Sequence, residues 1–287
     1  MTILPRIVPA DTLAPDLPKL FQLERQAGGD LLALRHDANL NGRAFGGQLL
    51  GQALMAARSV CPERLPASLH CLFLQGAQVD QPLRYQVEVL QTGKRFTSLR
   101  MSGLQGETRV LDAQATFQVA MGGYAHMETA PDLPGPDVLQ ALSELDEGAW
   151  ARFEKAGLEL RIVKPRDYLQ RCPEQPAVAY WVKLREPLTD DADTHFSALA
   201  YLSDFWINSA AISFHMPIEH ARDRLFVSSL NHSLWFHQVC RADEWLLFVC
   251  DSPCMQMGRG LSLARIYDQS RRLVASVAQD CLVTERQ

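Results

Sequence analysis

Phe45-Gly-Gly-Gln-Leu-Leu-Gly-Gln-Ala-Leu-Met-Ala-Ala-Arg58 reads as a helix, being rich in Ala, Leu, Met and Gln. Its small residues Gly47, Gly51 and Ala56 would let that helix sit close against a flat neighbour. Beyond Pro62 and Pro66 the texture changes to strands. Residues 69–74 form a short apolar run, and Leu83-Arg-Tyr-Gln-Val-Glu-Val-Leu90 alternates apolar and polar residues with the period of a half-buried strand. Thr92-Gly93 marks a turn, 95–103 a further strand, Gly106-Glu107 another turn, and 110–119 closes the set. One helix followed by several antiparallel strands is an α+β pattern. Upstream lie an amphipathic start, residues 17–34, and a turn-rich patch, Asp37-Ala-Asn-Leu-Asn-Gly-Arg43.

Residues 121–148 form a break, in which Met-Gly-Gly-Tyr-Ala-His-Met is followed by Pro131, Pro134 and Pro136. A second unit then replays the first. Residues 158–163 and 177–184 read as strands, Leu199-Ala-Tyr-Leu-Ser-Asp-Phe-Trp-Ile-Asn-Ser-Ala-Ala-Ile-Ser213 as one helix, and 227–237, 245–250, 260–267 and 273–283 as strands. Ser68-Leu69-His70 leads the first strand set as Ser229-Leu230-Asn231-His232 leads the second. The turn at Gly106-Glu107 answers to Gln269-Ser270, and Val110-Leu-Asp-Ala113 to Leu273-Val-Ala-Ser276. A repeat of this length points to duplication of one helix-on-sheet unit. The expected division is 1–122, a linker 123–150, and 151–287.

Composition narrows the class. Of 287 residues, 47% are hydrophobic and 21% charged, which excludes disorder and low-complexity scaffolds. With 28 Lys+Arg against 33 Asp+Glu, and no basic stripe, nucleic acid is not an expected partner. Seven cysteines, an odd number scattered along the chain, do not make a disulfide framework and suit a reducing compartment. Residues 1–11 lack the apolar stretch of a signal peptide, and no run approaches 18 apolar residues, so no membrane span is expected. The ending Thr-Glu-Arg-Gln is not a peroxisomal address. A soluble cytoplasmic protein is the expectation.

Three chemical motifs fail on their spacing or context. Gly93-Lys94 is not a phosphate loop, because Glu88 stands where the first Gly is required. Gly260-Leu-Ser262-Leu-Ala264 approaches a nucleophile elbow, but it lies within strand alternation rather than at a strand-to-helix turn. Cys250 and Cys254 have half of a zinc spacing, but Pro253 lies between them and no second tight pair follows, so no metal is expected. The polar residues that interrupt apolar surroundings carry more. Asp204 stands among Ala200-Tyr-Leu-Ser-Asp-Phe-Trp-Ile, where a carboxylate is either on a solvent face or buried, hydrogen-bonded and at work. Asn208, one turn on, would share its face. Ser229 shares a strand face with Asn231 and Ser233 by the period of two. Gln279 interrupts a strand otherwise fit for a core. Asp204, Ser229 and Gln279 together form a candidate polar cluster.

Five segments in order, Phe45-Gly-Gly-Gln-Leu-Leu-Gly-Gln-Ala, Leu199-Ala-Tyr-Leu-Ser-Asp204, Asn231-His-Ser-Leu-Trp-Phe-His237, Glu244-Trp-Leu-Leu and Leu273-Val-Ala-Ser-Val-Ala-Gln279, resemble the acyl-CoA thioesterase II family. The resemblance runs from about residue 15 to the C-terminus. It implies a double hotdog, in which two tandem helix-wrapped antiparallel sheets form one continuous sheet. It further implies hydrolysis of acyl-CoA to free fatty acid and CoA without a covalent intermediate, through an Asp/Thr/Gln set that holds the attacking water. The Asp falls on Asp204 and the Gln on Gln279. The Thr falls on Ser229, which keeps the hydroxyl but loses the methyl that fixes its rotamer. Asn231 stands where the family often has Asp. The resemblance adds no cofactor and no metal, acyl-CoA as the partner, and a homo-oligomer, dimer or tetramer.

Those roles are physically reasonable, since positioning a water against an activated thioester can supply up to about 7–11 kcal/mol of the barrier. Gly46 and Gly47, at a helix start, are candidate donors to the substrate, and Phe205, Trp206 and Ile207 are candidate walls of an acyl tunnel. Two other classes stay open: a non-catalytic acyl-CoA-binding hotdog, and a serine esterase built on Ser262. A dehydratase on the same fold would want a His in the first unit's helix, and none lies between His36 and His70.

Overall fold

The structure, a computed structural model, describes residues 14–39 and 42–286. The readings at residues 1–11, at Leu40 and Asn41 of the turn-rich patch, and at Gln287 lie outside the described residues. The chain divides into two units. The first holds the described residues up to Ala120 together with Lys155–Gly157 and Leu188–Leu202; the second holds Met121–Glu154, Leu158–Pro187 and Ser203 onward.

In the first unit the amphipathic start is divided. A single helical turn, α1 (Leu17–Leu20), is capped by the Asp16 carboxylate accepting from Lys19 N–H, and a short hairpin follows, β1 (Glu24–Arg25) and β2 (Leu31–Ala33). Then come α2 (Gly46–Arg58) and the strands β3 (Leu65–Phe73), β4 (Leu83–Thr92), β5 (Phe96–Gln105) and β6 (Thr108–Gln118). All pair antiparallel in the order β1-β2-β4-β5-β6-β3. Alternation decides which side chains are buried: Leu83, Tyr85, Leu99, Met101 and Phe117 on the strands are fully buried, as are Leu50, Ala53 and Ala57 of α2. Each large side chain so removed from water contributes about 1.5–3 kcal/mol. The small residues of α2 meet a helix rather than a flat sheet. A Cβ on Gly47 would fall 2.2 Å from the carbonyl oxygen of Tyr201, and one on Gly51 would fall 2.9 Å from that of Ser197, both in the 188–202 segment of the same unit. Backbone cannot give way at those distances, so only Gly fits.

The second unit opens with β7 (Leu158–Ile162), α3 (Pro165–Leu169) and β8 (Ala177–Leu184). Next is α4 (Ala192–Ser203), which counts with the first unit up to Leu202, then α5 (Ser209–Ser213) and α6 (Ile218–Arg224). The strands β9 (Leu225–Phe236), β10 (Leu246–Gln256), β11 (Arg259–Tyr267) and β12 (Leu273–Glu285) complete an antiparallel set in the order β9-β12-β11-β10-β8-β7. Numbered within each unit from its first strand, both sets run 1-2-4-5-6-3, so the duplication read from the sequence is present in the topology.

Two features depart from the expectations. The single helix 199–213 does not form: α4 ends at Ser203 and the chain restarts as a helix only at Ser209, with Trp206 between them in the left-handed region at φ 66°. A bulky residue is rarely held there. The proline-rich stretch, in turn, is packed as a strap over one face of the second sheet. Trp181 Nε1 donates to Pro134 O (2.9 Å), Arg271 donates to Pro131 O and Leu133 O, and Ala130, Leu133 and Leu139 cover Trp181, Trp245, Leu247 and Tyr267.

Candidate active site

The other face of the second sheet carries the polar cluster. Tyr180 and Phe248, cross-strand partners on β8 and β10, stack at 5.0 Å, and the Tyr180 hydroxyl donates to Phe205 O (2.6 Å). That bond ties down the 204–208 turn. Along it Phe205 and Ile207 are buried, whereas Asp204, Trp206 and Asn208 are half-buried. Trp206 packs edge-on to Tyr180. Asp204 and Asn208 are thus carried at the two ends of a turn, not on a helix face.

Gln279 lies at the centre of β12, fully buried, across from Ser262 on β11 and His232 on β9. Its amide nitrogen donates to Asn208 Oδ1 (3.1 Å) and to Ser229 Oγ (3.0 Å), and its Oε1 is within hydrogen-bond distance of His232 Nδ1. On the far side of the ring, His232 Nε2 is 2.9 Å from Ser203 Oγ, at the last residue of α4. Burial pulls the His232 pKa down to about 4, against a smaller opposing effect of the Gln279 hydrogen bond, so the ring is neutral at pH 7.

The period of two fails at Ser229. Asp280 pairs with Asn231 but Cys281 pairs with Ser229, so Leu230 is an extra residue in β9. Such a bulge reverses the parity of the strand. Ser229 therefore leaves the face of Asn231 and Ser233 and joins His232 on the face that meets Gln279.

The charge of Asp204 is felt nearby. Burial, with Asp204 among the smaller contributors, raises the Tyr180 hydroxyl well above its usual pKa and pushes the Cys281 thiol, two residues beyond Gln279, to about 12. Of the residues picked out in the sequence, Gln279 and Ser229 are in direct hydrogen bond and Asp204 opens the adjoining turn. Asn208 joins them through Gln279. Gly46 and Gly47 lie in the first unit, at the start of α2, where the side of Gly47 is taken up by the Tyr201 carbonyl. Ser262 is fully buried in mid-strand, unlike the exposed serine of an elbow. His232 is not among the residues that the sequence marks as a site; its one signal there is its place within the Asn231-His-Ser segment.

Two family descriptions match the chain, acyl-CoA thioesterase N-terminal domain over residues 34–118 and acyl-CoA thioesterase C-terminal domain over residues 125–283. The chain belongs to the acyl-CoA thioesterase II family. Acyl-coenzyme A thioesterase 8 of Homo sapiens is 31% identical to this family member over 272 residues, covering 88% of this chain and 84% of its own. The crystal structure of an acyl-CoA thioesterase II, TesB2, from Mycobacterium marinum is 32% identical, with a TM-score of 0.78 over 94% of this chain and 98% of that one. A protein of unknown function with a hotdog fold from Alicyclobacillus acidocaldarius is 18% identical, with a TM-score of 0.77 over 96% and 100% of the two chains. That last likeness bears on the fold alone, and the fold is the double hotdog.

Proposed function

We propose that this thioesterase hydrolyses fatty acyl-CoA through an activated water, with no acyl-enzyme intermediate. Its membership of the family supports the reaction class. The observation that carries the mechanism is the amide of Gln279, which donates at once to Ser229 and Asn208 beside the turn that bears Asp204. Asp204 accepts a proton from the water as its oxygen attacks the thioester carbon, while Ser229 and Gln279 orient that water. The tetrahedral intermediate collapses with cleavage of the C–S bond, and the proton passes to the CoA sulfur. Phe205, Trp206 and Ile207 are assigned to the acyl wall, and the amides of Gly46 and Gly47 to acyl-CoA binding.

The proposal extends to a cytoplasmic homo-oligomer, dimer or tetramer, whose partner is acyl-CoA. All seven cysteines are free thiols, which suits a reducing compartment. Among the described residues no helix is long and apolar enough to cross a membrane.

The test is hydrolysis of a short, a medium and a long acyl-CoA, with free CoA detected by chromatography because Cys172 and Cys254 are exposed to thiol reagents. Asp204→Asn should lower kcat by about 10²–10⁴-fold, the usual contribution of a general base, and Ser262→Ala should leave it unchanged. Wild-type protein that releases no CoA from any of the three would overturn the reading in favour of an acyl-CoA-binding protein. Loss of turnover in Ser262→Ala alone would favour a serine esterase.

A further inference from the structure

The side-chain amide of Gln279 spends both of its N–H bonds inside the protein, one on Ser229 and one on Asn208. It therefore has no hydrogen left for a water, and whatever it does for one it does through Ser229. Its orientation then decides the polarity of the site. With Nε2 toward Ser229, a lone pair of Oγ is occupied and the hydroxyl hydrogen remains to be donated elsewhere. With the amide turned over, Oε1 would face both Ser229 Oγ and Asn208 Oδ1. The serine would be drawn into donating backward, and two carbonyl oxygens would stand about 3 Å apart unless Asn208 turned over as well.

The two orientations are told apart at the opposite end of the amide, by His232. A neutral imidazole has one donor and one acceptor. When Nδ1 carries the hydrogen it donates to Oε1, and bare Nε2 accepts from the Ser203 hydroxyl; when Nε2 carries it, bare Nδ1 rejects Oε1. The ring is fully buried, as is Ser203, and both ring nitrogens are engaged, so bulk water cannot exchange one arrangement for the other in place. Building on the water mechanism proposed above, we infer that His232, neutral and protonated on Nδ1, is a positioning residue. Through Gln279 it aims the Ser229 hydroxyl as a donor into the site. Ser203, His232, Gln279 and Ser229 form a one-way line of hydrogen bonds from the end of α4 to the reacting water.

The experiment has two arms. The first reads the His232 ring by long-range ¹H–¹⁵N correlation in resting enzyme labelled at histidine, the signal being assigned by its absence from His232→Asn. Hydrogen on Nδ1 and a bare Nε2 are expected; hydrogen on Nε2 overturns the inference. The second arm compares kcat and KM for His232→Asn, whose amide N–H can occupy the place of Nδ1–H, with His232→Leu, which has none. His232→Leu should lose about 100-fold in kcat, the scale of a misplaced catalytic group, with KM within about twofold; His232→Asn should keep kcat within about tenfold of wild type. Equal kcat in the two variants, high or low, overturns the inference. The tautomer is read without substrate, so it decides the matter even where His232→Leu does not fold. It also separates the two readings: wild type inactive on every acyl-CoA removes the thioesterase mechanism, whereas an active wild type with Nε2–H removes only the role given to His232.

Discussion

The two units share one strand order and put polar side chains into their interiors in opposite ways. In the first, Gln48 and Gln52 of α2 are fully buried and face the backbone. Gln48 Oε1 accepts from Asp37 N (2.6 Å) and its Nε2 reaches His36 Nδ1 (2.8 Å). Gln52 Nε2 donates to Leu20 O (2.8 Å), and its Oε1 accepts from Tyr85 OH (3.2 Å). Asp37 is closed off in turn by Lys155 and Tyr201. Every group in that network ends on another protein group. In the second unit the line through Ser203, His232 and Gln279 ends on Ser229 and Asn208, both half-buried and each with hydrogen-bonding capacity beyond what Gln279 uses. A closed network stabilises a particular packing; an open one presents an oriented group to a substrate. The same framework supports either, and the difference lies in where the last hydrogen bond ends.

That contrast can be broken by moving stability and activity separately. The largest effect is expected from Gln52→Leu, which strips partners from buried groups of the first unit at about 1–3 kcal/mol each, roughly 4 kcal/mol in all. Calorimetry should show a fall in Tm of roughly 8–16 °C, while kcat per folded molecule stays at the wild-type value. Acid comes next. Unfolded, His232 titrates near 6.5, and folded near 4, so between those values only the unfolded chain takes up the proton. The stability that the neutral ring contributes is whole above pH 6.5 and is lost as the pH falls to 4, to the extent of about 3 kcal/mol. Urea unfolding followed across that range should lose this dependence in His232→Asn. Gln279→Leu also strips a partner from a buried group, His232, but unlike Gln52→Leu it should lower kcat by about 100-fold, equivalent to about 2.7 kcal/mol, at unchanged KM. A fall in KM-corrected activity no greater than that of Gln52→Leu would erase the distinction between the units. The smallest effect belongs to Ser229→Thr. Its added methyl narrows three staggered rotamers toward one, which raises kcat by at most about threefold.

The site was legible where chemistry follows from residue type. Asp204 and Gln279 are conspicuous because a carboxylate and an amide interrupt apolar runs, and burial of such groups demands partners. Residue type marks Ser229, but alternation puts it on the wrong strand face, because a one-residue bulge at Leu230 leaves no mark in an alternating pattern. The continuous helix expected over 199–213 fails for a related reason. Ala, Leu and Ser are compatible with a continuous helix, and the break at residues 204–208 answers to bonds made at a distance, such as Tyr180 to Phe205 O. His232 escaped because a buried histidine in a strand looks the same in sequence whether or not a glutamine faces it.

Residue pattern was enough for the helix α2, the long strands of both halves, the duplication, and the kinds of side chain available for thioester hydrolysis. Periodicity and propensity are local properties that any short window displays. Tertiary structure alone decided which way those side chains point. Strand parity at Ser229, the left-handed turn at Trp206 and the amide orientation of Gln279 each depend on a partner more than twenty residues away in the chain or on the register between strands, and no local pattern encodes either.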